Sequence, residues 1–420
     1  MSRIVVGLDI GSCFIRVVIG EVDDNGKLEI IGFAKRPSKG LRNGVIVNLD
    51  EATAVIQETI EVAEQSAGVM VESVFTVVGG SQTESMNSRG PVAVDPTGRN
   101  RRIEVNENAK QRAIQNAQSI VIPIGKKLLH TIPQEYIIDN AYGYKNPIGN
   151  LGVRLEVAVH LVIASETVIE NIKQVLLRAG YAFNGATLKS LAAAFATVHE
   201  DEMELGSVLI DLGGDSTDVI VFNKGSPVFT ASIPYGGNIV TSDIACVLGI
   251  PVSFAEKIKV ENGCCWTDSE GLEEKIVISG IGGKSPQLVP KKIIAQIMQA
   301  RLAEILKLVR EKIASCAELR NADLSGSVVL TGGGALTQGI VELTQAVWKT
   351  SSVRLGCTPS LGFLSDTSYR DADFATATGL VLVNKDNDLR EHSRHRKGSQ
   401  SFGKKSGVGE KIKNAFGKFF

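Results

Sequence analysis

The chain has 420 residues and a formal net charge of −1, with 43% hydrophobic and 22% charged residues. This length and composition indicate a globular body of about two to four domains. No run approaches about eighteen consecutive apolar residues, and the chain starts on an apolar strand pattern, so we expect neither a transmembrane helix nor a signal peptide. The six cysteines lack metal-ligand spacing, which favours a reducing cytoplasm and no metal–thiolate site.

The first predicted element is a β-hairpin at residues 4–22. An apolar strand ends in Asp9, the chain reverses through a loop that contains Gly11 and Ser12, and a second apolar strand follows. Backbone N–H groups of such a loop can bind phosphate, and a carboxylate at a strand end can hold a hydrated Mg²⁺ ion. The hairpin is therefore a candidate phosphate loop, although one Asp-x-Gly turn is weak evidence by itself.

The next elements indicate an α/β domain that is interrupted by an insertion. A helix at 50–67, capped by Asn48 or Asp50, and a strand at 73–80 precede a polar stretch. We predict an inserted domain over residues 82–164. Further predicted elements are helices at 106–119, 166–179 and 290–317 and strands at 128–139 and 154–165.

A second hairpin, at residues 208–225, repeats the first. Asp211 aligns with Asp9 and Gly213 with Gly11, and the flanking strands are equally apolar. The repetition favours two related lobes that face each other over two ordinary hairpins. The other residues of this second loop that we expect to bind a ligand are Gly214, Ser216 and Thr217.

A glycine triplet forms the third element of the pattern. A buried strand at 327–331 runs into Gly332, Gly333 and Gly334, and we predict a helix that begins near Leu336. Glycines let a sugar or base lie against bare backbone, and a helix N-terminus favours nearby phosphate. A triple glycine alone is only a turn. After two Asp-x-Gly hairpins, it completes the set by which actin-like ATPases bind ATP.

Residues 384–420 form a basic tail with ten Lys or Arg and four Asp or Glu, a net charge of +6. Residues 384–408 are too poor in apolar side chains to bury a core, so we predict a disordered linker. Residues 409–420 have an apolar stripe at helical spacing, which predicts a helix about 18 Å long that lies in the membrane interface and binds anionic lipids. Its apolar residues are Ile412, Phe416, Phe419 and Phe420, and its basic residues are Lys411, Lys413 and Lys418. The apolar stripe favours lipid over nucleic acid as the partner.

Four further segments are specific enough to indicate a family. Residues 130–136 (HTIPQEY), 145–149 (KNPIG), 233–245 (IPYGGNIVTSDIA) and 256–263 (EKIKVENG) resemble the FtsA family, actin-like proteins that tie the bacterial division ring to the membrane. They resemble this family more than actin, the DnaK-type chaperones or the sugar kinases. The resemblance covers nearly the whole body and extends to the tail.

The resemblance implies an actin-like α/β ATPase fold, with two ribonuclease-H-like cores that flank a nucleotide cleft, an FtsA-type inserted domain and a C-terminal amphipathic helix. The expected boundaries are 1–81 and 165–195 for the first core, 82–164 for the inserted domain, 196–229 and 303–383 for the second core, 230–302 for a second insertion that binds the FtsZ tail, 384–408 for the linker and 409–420 for the membrane helix.

By position in the family motifs, the resemblance also assigns residues to ATP and Mg²⁺. The expected nucleotide ligands are Asp9, Gly11 and Ser12 in the first loop, Asp211, Gly213, Gly214, Ser216 and Thr217 in the second, Gly332, Gly333 and Gly334 under the adenosine, Gly236, Gly237 and Asn238 along the cleft wall, and Glu256 and Lys259 at the ribose or adenine. Asp9 and Asp211 would hold Mg²⁺. Asp211 and Asp215 are the candidate catalytic residues of what is at most a slow ATPase.

Two positions depart from the family pattern. Phe14 stands where a lysine is usual, and we expect Arg16, on the same strand face, to take the cationic role. Asp215 stands where a glycine is common. Its carboxylate would repel the terminal phosphate, so Asp215 either binds the hydrated metal ion or weakens nucleotide binding and hydrolysis.

The implied function is that of an ATP-binding division protein that polymerises at the cytoplasmic face of the cell membrane, at the division site, and tethers FtsZ there. Expected partners are the acidic C-terminal peptide of FtsZ, contacted by Lys284 and Arg301, further copies of the chain, anionic lipids, and later division proteins at the inserted domain. The alternatives are a PilM-type adaptor, which would reach the membrane through a partner's peptide, a small-molecule kinase of the same superfamily, and an MreB-type filament.

Overall fold

The computed structural model describes residues 2–99, 101–278, 286–316, 319, 326–362 and 364–385. Lys284 and the predicted membrane helix lie outside the described residues, as does the predicted linker apart from its first two residues. The linker's predicted start is wrong. Asn384 is the last residue of a helix, and its buried side chain donates a hydrogen bond to the Leu380 carbonyl at 2.9 Å.

The first core is built on a mixed β-sheet. Its elements begin with β1 Arg3–Ile10, β2 Phe14–Val22, β3 Leu28–Pro37, β4 Leu41–Arg42, β5 Val45–Ile46, α1 Leu49–Ala67 and β6 Ser73–Val78. β1, β2 and β3 are antiparallel, whereas β6 returns through α1 to pair in parallel with β1. The Asn48 side chain caps α1 by accepting from the N–H groups of Asp50 and Glu51, and Gly68 ends the helix in the left-handed conformation at φ 69°. The predicted helix at 50–67 is confirmed.

A smaller domain interrupts the first core. Its elements are β7 Thr83–Ala93, β8 Ile103–Glu104, α2 Glu107–Ala117, β9 Lys126–Ile138, β10 Ala141–Tyr144, β11 Leu151–Gly152 and β12 Arg154–Ser165. The long strands form a sheet in the order β10-β9-β12-β7, and β8 pairs with β11. α2 buries Ala109, Ala113 and Ala117. A Cβ at Gly90 would lie 2.0 Å from the Ala113 carbonyl oxygen, so small residues bring this helix into backbone contact with β7.

The chain then completes the first core with α3 Glu166–Arg178, β13 Ala182–Leu188 and α4 Lys189–Thr197. β13 pairs in parallel with β6, which gives the sheet order β13-β6-β1-β2-β3. Leu8, Ile15 and Val17 on the central strands are completely buried. Burial on both faces explains why these strands are continuous apolar runs in the sequence.

The second core repeats this sheet. Its elements are α5 Glu200–Leu205, β14 Ser207–Leu212, β15 Thr217–Asn223, β16 Ser226–Ile233, α6 Gly237–Leu248, α7 Val252–Asn262, β17 Lys275–Ile278, β18 Gln287–Pro290, α8 Lys291–Ala314, β19 Val328–Thr331, α9 Ile340–Trp348 and β20 Val353–Leu355. The last helix, α10 Ala375–Asn384, returns to pack on β1 and β2 of the first core. The sheet order β16-β15-β14-β19-β20 has the same strand directions as β3-β2-β1-β6-β13. The duplication predicted from two hairpins therefore extends to whole sheets.

The helix predicted to begin near Leu336 starts later. Residues Gly333–Leu336 form a single 3₁₀ turn, Thr337 is extended, and Gly339 is left-handed at φ 80°. A helix cannot run through these conformations, so α9 begins at Ile340.

Among the described residues, no single helix is both long and apolar enough to cross a membrane. α6 and α7 meet that criterion only when they are taken as a pair, and they join at a bend of 110°.

The inserted domain contacts the second core as well as the first. Asn87 on β7 donates to the Val228 carbonyl at 3.0 Å, and Ser85 Oγ donates to the Thr230 carbonyl at 2.9 Å. The buried His160 ring lies between Asn87 Oδ1, at 2.8 Å, and Thr230 Oγ1, at 3.1 Å. The inserted domain therefore bridges the two cores along β16.

His130 lies where the inserted domain meets the first core. It is buried, and its Nε2 accepts a hydrogen bond from the Leu188 N–H at 3.0 Å, which requires Nε2 to be unprotonated. Burial, with a smaller contribution from His160, lowers the pKa of His130 from 6.5 to about 4. The folded protein therefore keeps this imidazole neutral.

We predict that the protein loses stability as the pH falls below the ordinary pKa of histidine. The unfolded chain binds a proton at His130 below about pH 6.5, whereas the folded chain does so only near pH 4, so the free energy of unfolding should fall by about 2 kcal/mol between about pH 7.5 and about pH 5. Denaturant titrations at a series of pH values measure this loss. His130→Gln, whose amide still accepts a hydrogen bond but does not titrate, should flatten the pH dependence; an unchanged slope would contradict the prediction.

Candidate functional site

The two Asp-x-Gly turns have the same geometry. The Gly11 N–H donates to the Phe14 carbonyl at 3.1 Å, and the Gly213 N–H donates to the Ser216 carbonyl at 2.9 Å. A Cβ at either glycine would lie 2.7 Å from that same carbonyl oxygen, so both turns exclude a larger residue. The sequence repeat is therefore also a structural repeat, and the two turns share the same backbone hydrogen bond.

The two turns touch each other across the cores. A Cβ at Gly214 would lie 2.4 Å from Cys13 Sγ. Burial raises the pKa of the Cys13 thiol, which donates to Asn238 Oδ1 at 3.3 Å. Asn238 Nδ2 in turn donates to Asp215 Oδ1 at 2.7 Å. The structure therefore brings the first and second predicted loops together and holds the Asp215 carboxylate against the cleft wall.

The start of α6 forms that wall. The Gly237 N–H donates to the Gly213 carbonyl at 2.9 Å, and the Asn238 N–H donates to the Gly214 carbonyl at 2.8 Å. A Cβ at Gly236 would lie 2.5 Å and 2.6 Å from these two carbonyl oxygens. Glycine at this position is what allows α6 to abut the second turn.

Lys259 and Glu256 on α7 reach the same wall. Lys259 Nζ lies 2.7 Å from Glu256 Oε2 and donates to the Gly237 carbonyl at 3.1 Å and to Thr241 Oγ1 at 2.8 Å. The Thr241 hydroxyl donates to Glu256 Oε2. Both charged groups expected at the ribose or adenine therefore lie beside the first turn of α6.

The glycine triplet after β19 adjoins the carboxylate of the second turn. Gly332 is left-handed at φ 82°, and a Cβ there would lie 2.2 Å from Asp211 Oδ1. A Cβ at Gly334 would lie 2.7 Å from Leu212 Cβ. At Gly333, no described atom lies within 4 Å of such a Cβ. The triplet thus packs closely at its ends and is open at its centre.

Two further predicted ligands have different surroundings. Ser216 lines a cavity between the turns, and its hydroxyl donates to Asp218 Oδ2 at 3.2 Å. Thr217 is completely buried, and its hydroxyl donates to the Tyr235 carbonyl at 2.8 Å. The Thr217 side chain therefore supports the turn from the protein interior and does not face the cleft.

The turns enclose a cluster of buried charges. Asp9 and Asp211 are only 3% and 1% exposed, and Lys189 Nζ lies 3.2 Å from Asp211 Oδ2. Burial raises the pKa of Asp9, an effect that Lys189 and Arg16 partly offset. Burial also lowers the pKa of Lys189, but Asp211, Asp9 and Asp218 outweigh it and keep that pKa above its ordinary value. Lys189 is therefore charged at neutral pH.

The carboxylates fit a hydrated Mg²⁺ ion. Asp9 Oδ1 is buried and has no hydrogen-bond partner among the described residues, as expected of an oxygen reserved for a ligand. Among the residues that the structure describes, no group of three or more His, Cys, Asp or Glu residues is arranged to hold a metal ion. Asp9 and Asp211 supply only two carboxylates, so an ion held there would take its remaining ligands from water and phosphate, as Mg²⁺ commonly does.

Arg16 is paired with an acidic residue that the sequence did not identify. Its Nε and Nη2 donate to Asp373 Oδ2 at 3.2 and 2.8 Å, and Lys35 Nζ lies 2.7 Å from the same oxygen. Arg16 Nη1 is 3.9 Å from Asp9 Oδ2. The Phe14 ring lies 5.4 Å from the Arg16 guanidinium and 4.4 Å from the Lys35 ammonium. The expected phosphate-binding cation thus adjoins the first turn, with its charge engaged by Asp373.

Arg301 on α8 is also paired. Its Nε and Nη2 donate to Asp243 at 2.5 and 3.1 Å, and its Nη1 donates to Glu304 at 2.6 Å. These hydrogen bonds, led by those to Asp243, raise the pKa of Arg301. An acidic peptide that contacts Arg301 would have to compete with two carboxylates.

Sequence patterns missed Lys189, Asp218 and Asp373. Asp218 could have been predicted, because it lies opposite Asp211 in the antiparallel register of the hairpin. In the structure its Oδ1 accepts a hydrogen bond from the Gly80 N–H at 3.0 Å. No sequence pattern connects Lys189 with Asp211, or Asp373 with Arg16, because in each pair the two residues lie on different elements that only the fold brings together.

We predict that Asp373 is essential to the stability of this junction. Asp373→Asn would leave Arg16 and Lys35 beside a neutral amide where the carboxylate is 4% exposed, so the free energy of unfolding should fall by about 3 kcal/mol. Denaturant titration measures the loss. Asp371→Asn, at an exposed position two residues earlier, is the matched control and should cost less than about 0.5 kcal/mol. Similar small losses in both variants would refute the role of Asp373.

The chain matches known protein families and relatives over most of its length. The model of the family described as cell division protein FtsA matches residues 208–379, and that of the SHS2 domain inserted in FtsA matches residues 80–163. The chain is 37% identical over 418 residues to cell division protein FtsA of Borreliella burgdorferi, with 99% of each chain covered. It is 36% identical to that of Pseudomonas aeruginosa, covering 91% of this chain and 89% of the relative. The corresponding protein of Escherichia coli K12 is 33% identical, with 92% and 91% covered.

Solved structures share the fold at lower identity. The PilM–PilN type IV pilus biogenesis complex contains a chain that is 17% identical, with a TM-score of 0.64 over 90% of this chain and 97% of that one. MreB5 of Spiroplasma citri bound to ADP is 15% identical, with a TM-score of 0.55 over 92% and 98%. These likenesses concern the fold alone and confirm the predicted actin-like architecture. From its near full-length relatives at 33–37% identity, the chain belongs to the FtsA family of cell division proteins.

Proposed function

We propose that this protein is an ATP-binding, actin-like cell-division protein that polymerises at the inner surface of the cell membrane and tethers the FtsZ ring there. The nucleotide part rests on one observation, the contact of two equivalent Asp-x-Gly turns from two equivalent cores. The membrane part rests on the amphipathic pattern of residues 409–420. Membership of the FtsA family supports the division role.

The phosphates would bind to backbone N–H groups of both turns. The N–H groups of Gly11 and Gly213 are used inside their own turns, so those of the following residues, Ser12 and Gly214, are the proposed donors. The turns now touch at Gly214 and Cys13, so phosphate binding would have to part them.

The adenosine would lie against the glycine triplet. Gly333 is open, whereas Gly332 and Gly334 pack against the second turn, so the triplet offers a flat surface next to the phosphates. Glu256 and Lys259 on α7 form an ion pair beside the first turn of α6. They would contact the ribose or adenine from that wall of the cleft.

ATP binding at this site would require a cation. Asp9, Asp211 and Asp215 lie at or beside the turns, and a triphosphate placed next to these carboxylates would be repelled. Mg²⁺ at Asp9 and Asp211 would neutralise that charge. Asp211 and Asp215 are the proposed residues for orienting water, and we expect hydrolysis to be slow.

We predict that ATP binding depends on Mg²⁺. Calorimetric titration with ATP should give an affinity at least about tenfold higher with Mg²⁺ than with a chelator. Gly213→Ala should weaken binding, because its Cβ would lie 2.7 Å from the Ser216 carbonyl oxygen. Gly26→Ala, which strains a left-handed turn between β2 and β3 outside the site, should not. Equal affinity with and without Mg²⁺ would contradict the metal site, and the absence of ATP binding in both would contradict the nucleotide site.

The C-terminal helix is the proposed membrane anchor. Burying one phenylalanine contributes about 1.5 to 3 kcal/mol, so one helix alone binds moderately. A filament that displays many helices binds far more strongly, because each further contact is intramolecular. Polymerisation would therefore control attachment.

We predict that the last twelve residues are required for vesicle binding. The full chain should sediment with vesicles that contain anionic lipid, and a version that ends at Val408 should remain in the supernatant. The double variant Phe416→Ser and Phe419→Ser keeps every lysine and should behave like the truncation. The lysines alone supply only the electrostatic part of the membrane affinity, and the apolar part is lost. Equal sedimentation of the full and truncated chains would favour a PilM-type adaptor.

The second insertion is the proposed site for the acidic C-terminal peptide of FtsZ. Lys284 and Arg301 are the proposed contacts, and the peptide carboxylates would replace Asp243 or Glu304 as partners of Arg301. In the same sedimentation experiment, a labelled FtsZ tail peptide should enter the pellet only with the full chain. The inserted domain, which bridges both cores, is the proposed site for later division proteins.

A further inference from the structure

Lys189 lies between the two turns of the proposed nucleotide site. It is the first residue of α4, and its Nζ is 3.2 Å from Asp211 Oδ2, with the side chain 17% exposed. A Cβ at Gly213 would lie 3.5 Å from the same Nζ. The ammonium is therefore within contact distance of the second turn and reachable from the cleft.

A cavity opens beside Lys189. Gly11 and Ser12 of the first turn and Ser216 of the second line it, together with Gly80 at the start of the inserted domain. Most of its other lining residues belong to the first core, so the cavity lies on the first-core side of the second turn, with Lys189 in its wall. A phosphate bound between the turns would meet this ammonium.

The two oxygens of Asp211 have different neighbours. Oδ1 faces Gly332, where a Cβ would lie 2.2 Å away, whereas Oδ2 faces Lys189. The described residues that line the cavity do not include the glycine triplet. With adenosine on the triplet, the phosphate farthest from the triplet would be the one nearest this cavity and Lys189.

The neighbouring cations are engaged by other carboxylates. Arg16 donates twice to Asp373, and Lys259 is 2.7 Å from Glu256. The carboxylates that act on Lys189 are those of Asp211, Asp9 and Asp218. One ammonium cannot neutralise three carboxylates, so the cluster remains suited to a metal ion, whose binding would leave Lys189 able to turn to a phosphate.

We propose that Lys189 binds the terminal phosphate of a nucleoside triphosphate and so gives the site its preference for triphosphate over diphosphate. In the structure, Lys189 is the counter-ion of Asp211. If Asp211 held the metal ion of the nucleotide, the flexible lysine stem would let the ammonium donate to a phosphate oxygen. This proposal rests on the proposed function, because it requires that the cleft binds ATP.

Calorimetric titration of Lys189→Gln with Mg²⁺ and either ATP or ADP tests the proposal. We expect the ATP affinity to fall about tenfold or more, since a charge-assisted hydrogen bond is lost, and the ADP affinity to change less than about twofold. Lys189→Arg should retain ATP binding within about threefold. Lys173→Gln is the matched control, because Lys173 is an exposed lysine of the same core, paired with Glu170 at 2.7 Å, and it should change neither affinity.

Equal losses for ATP and ADP, or an unchanged ATP affinity, would overturn the role of Lys189 while leaving the proposed function intact. Failure of the unaltered protein to bind either nucleotide would overturn both. If Lys189→Gln does not fold, the double variant with Asp218→Asn removes one carboxylate together with the ammonium and takes the same test.

Discussion

The close crossing of α4 and α10 is the constraint on which the rest of the structure depends. A Cβ at Gly379 would lie 1.8 Å from the Ala192 carbonyl oxygen, so the two helices meet backbone to backbone. α4 leads from the sheet of the first core to the second core, and α10 follows the second sheet and packs on β1 and β2 of the first. Each helix therefore joins both cores. Their contact sets the distance at which the two Asp-x-Gly turns face each other.

The same crossing places the charges of the site. α4 begins at Lys189, and α10 follows directly after the turn that contains Asp373. Lys189 faces Asp211 of the second sheet, and Asp373 faces Arg16 of the first sheet. An ion pair therefore lies at the start of each of the two crossing helices. A phosphate ligand that entered among them would couple its binding to the arrangement of the cores through these pairs.

Much of the fold could be predicted because its pattern is local. The spacing of Asp9 and Gly11, repeated at Asp211 and Gly213, is sufficient to find both hairpins, and the turn hydrogen bond shows why glycine is required. The apolar runs of the central strands follow from burial on both faces.

The remaining features depend on contacts between distant parts of the chain. Arg16 and Asp373 are 357 positions apart, so no spacing rule connects them, and Arg16 was expected to serve phosphate alone. Lys189 is the first residue of an alanine-rich helix whose sequence contains no Asp-x-Gly or glycine-triplet pattern. The delayed start of α9 depends on Gly339 adopting φ 80°, which the triplet before it does not reveal.

The most direct test of the central claim is a crystal structure of the protein with Mg²⁺ and a non-hydrolysable ATP analogue. We expect the phosphates between the turns at Gly11–Ser12 and Gly213–Gly214, the adenosine against Gly332–Gly334, and the contact between Cys13 and Gly214 opened to admit them. A nucleotide bound elsewhere on the protein, or bound with the two turns still in contact, would contradict a phosphate site between the cores.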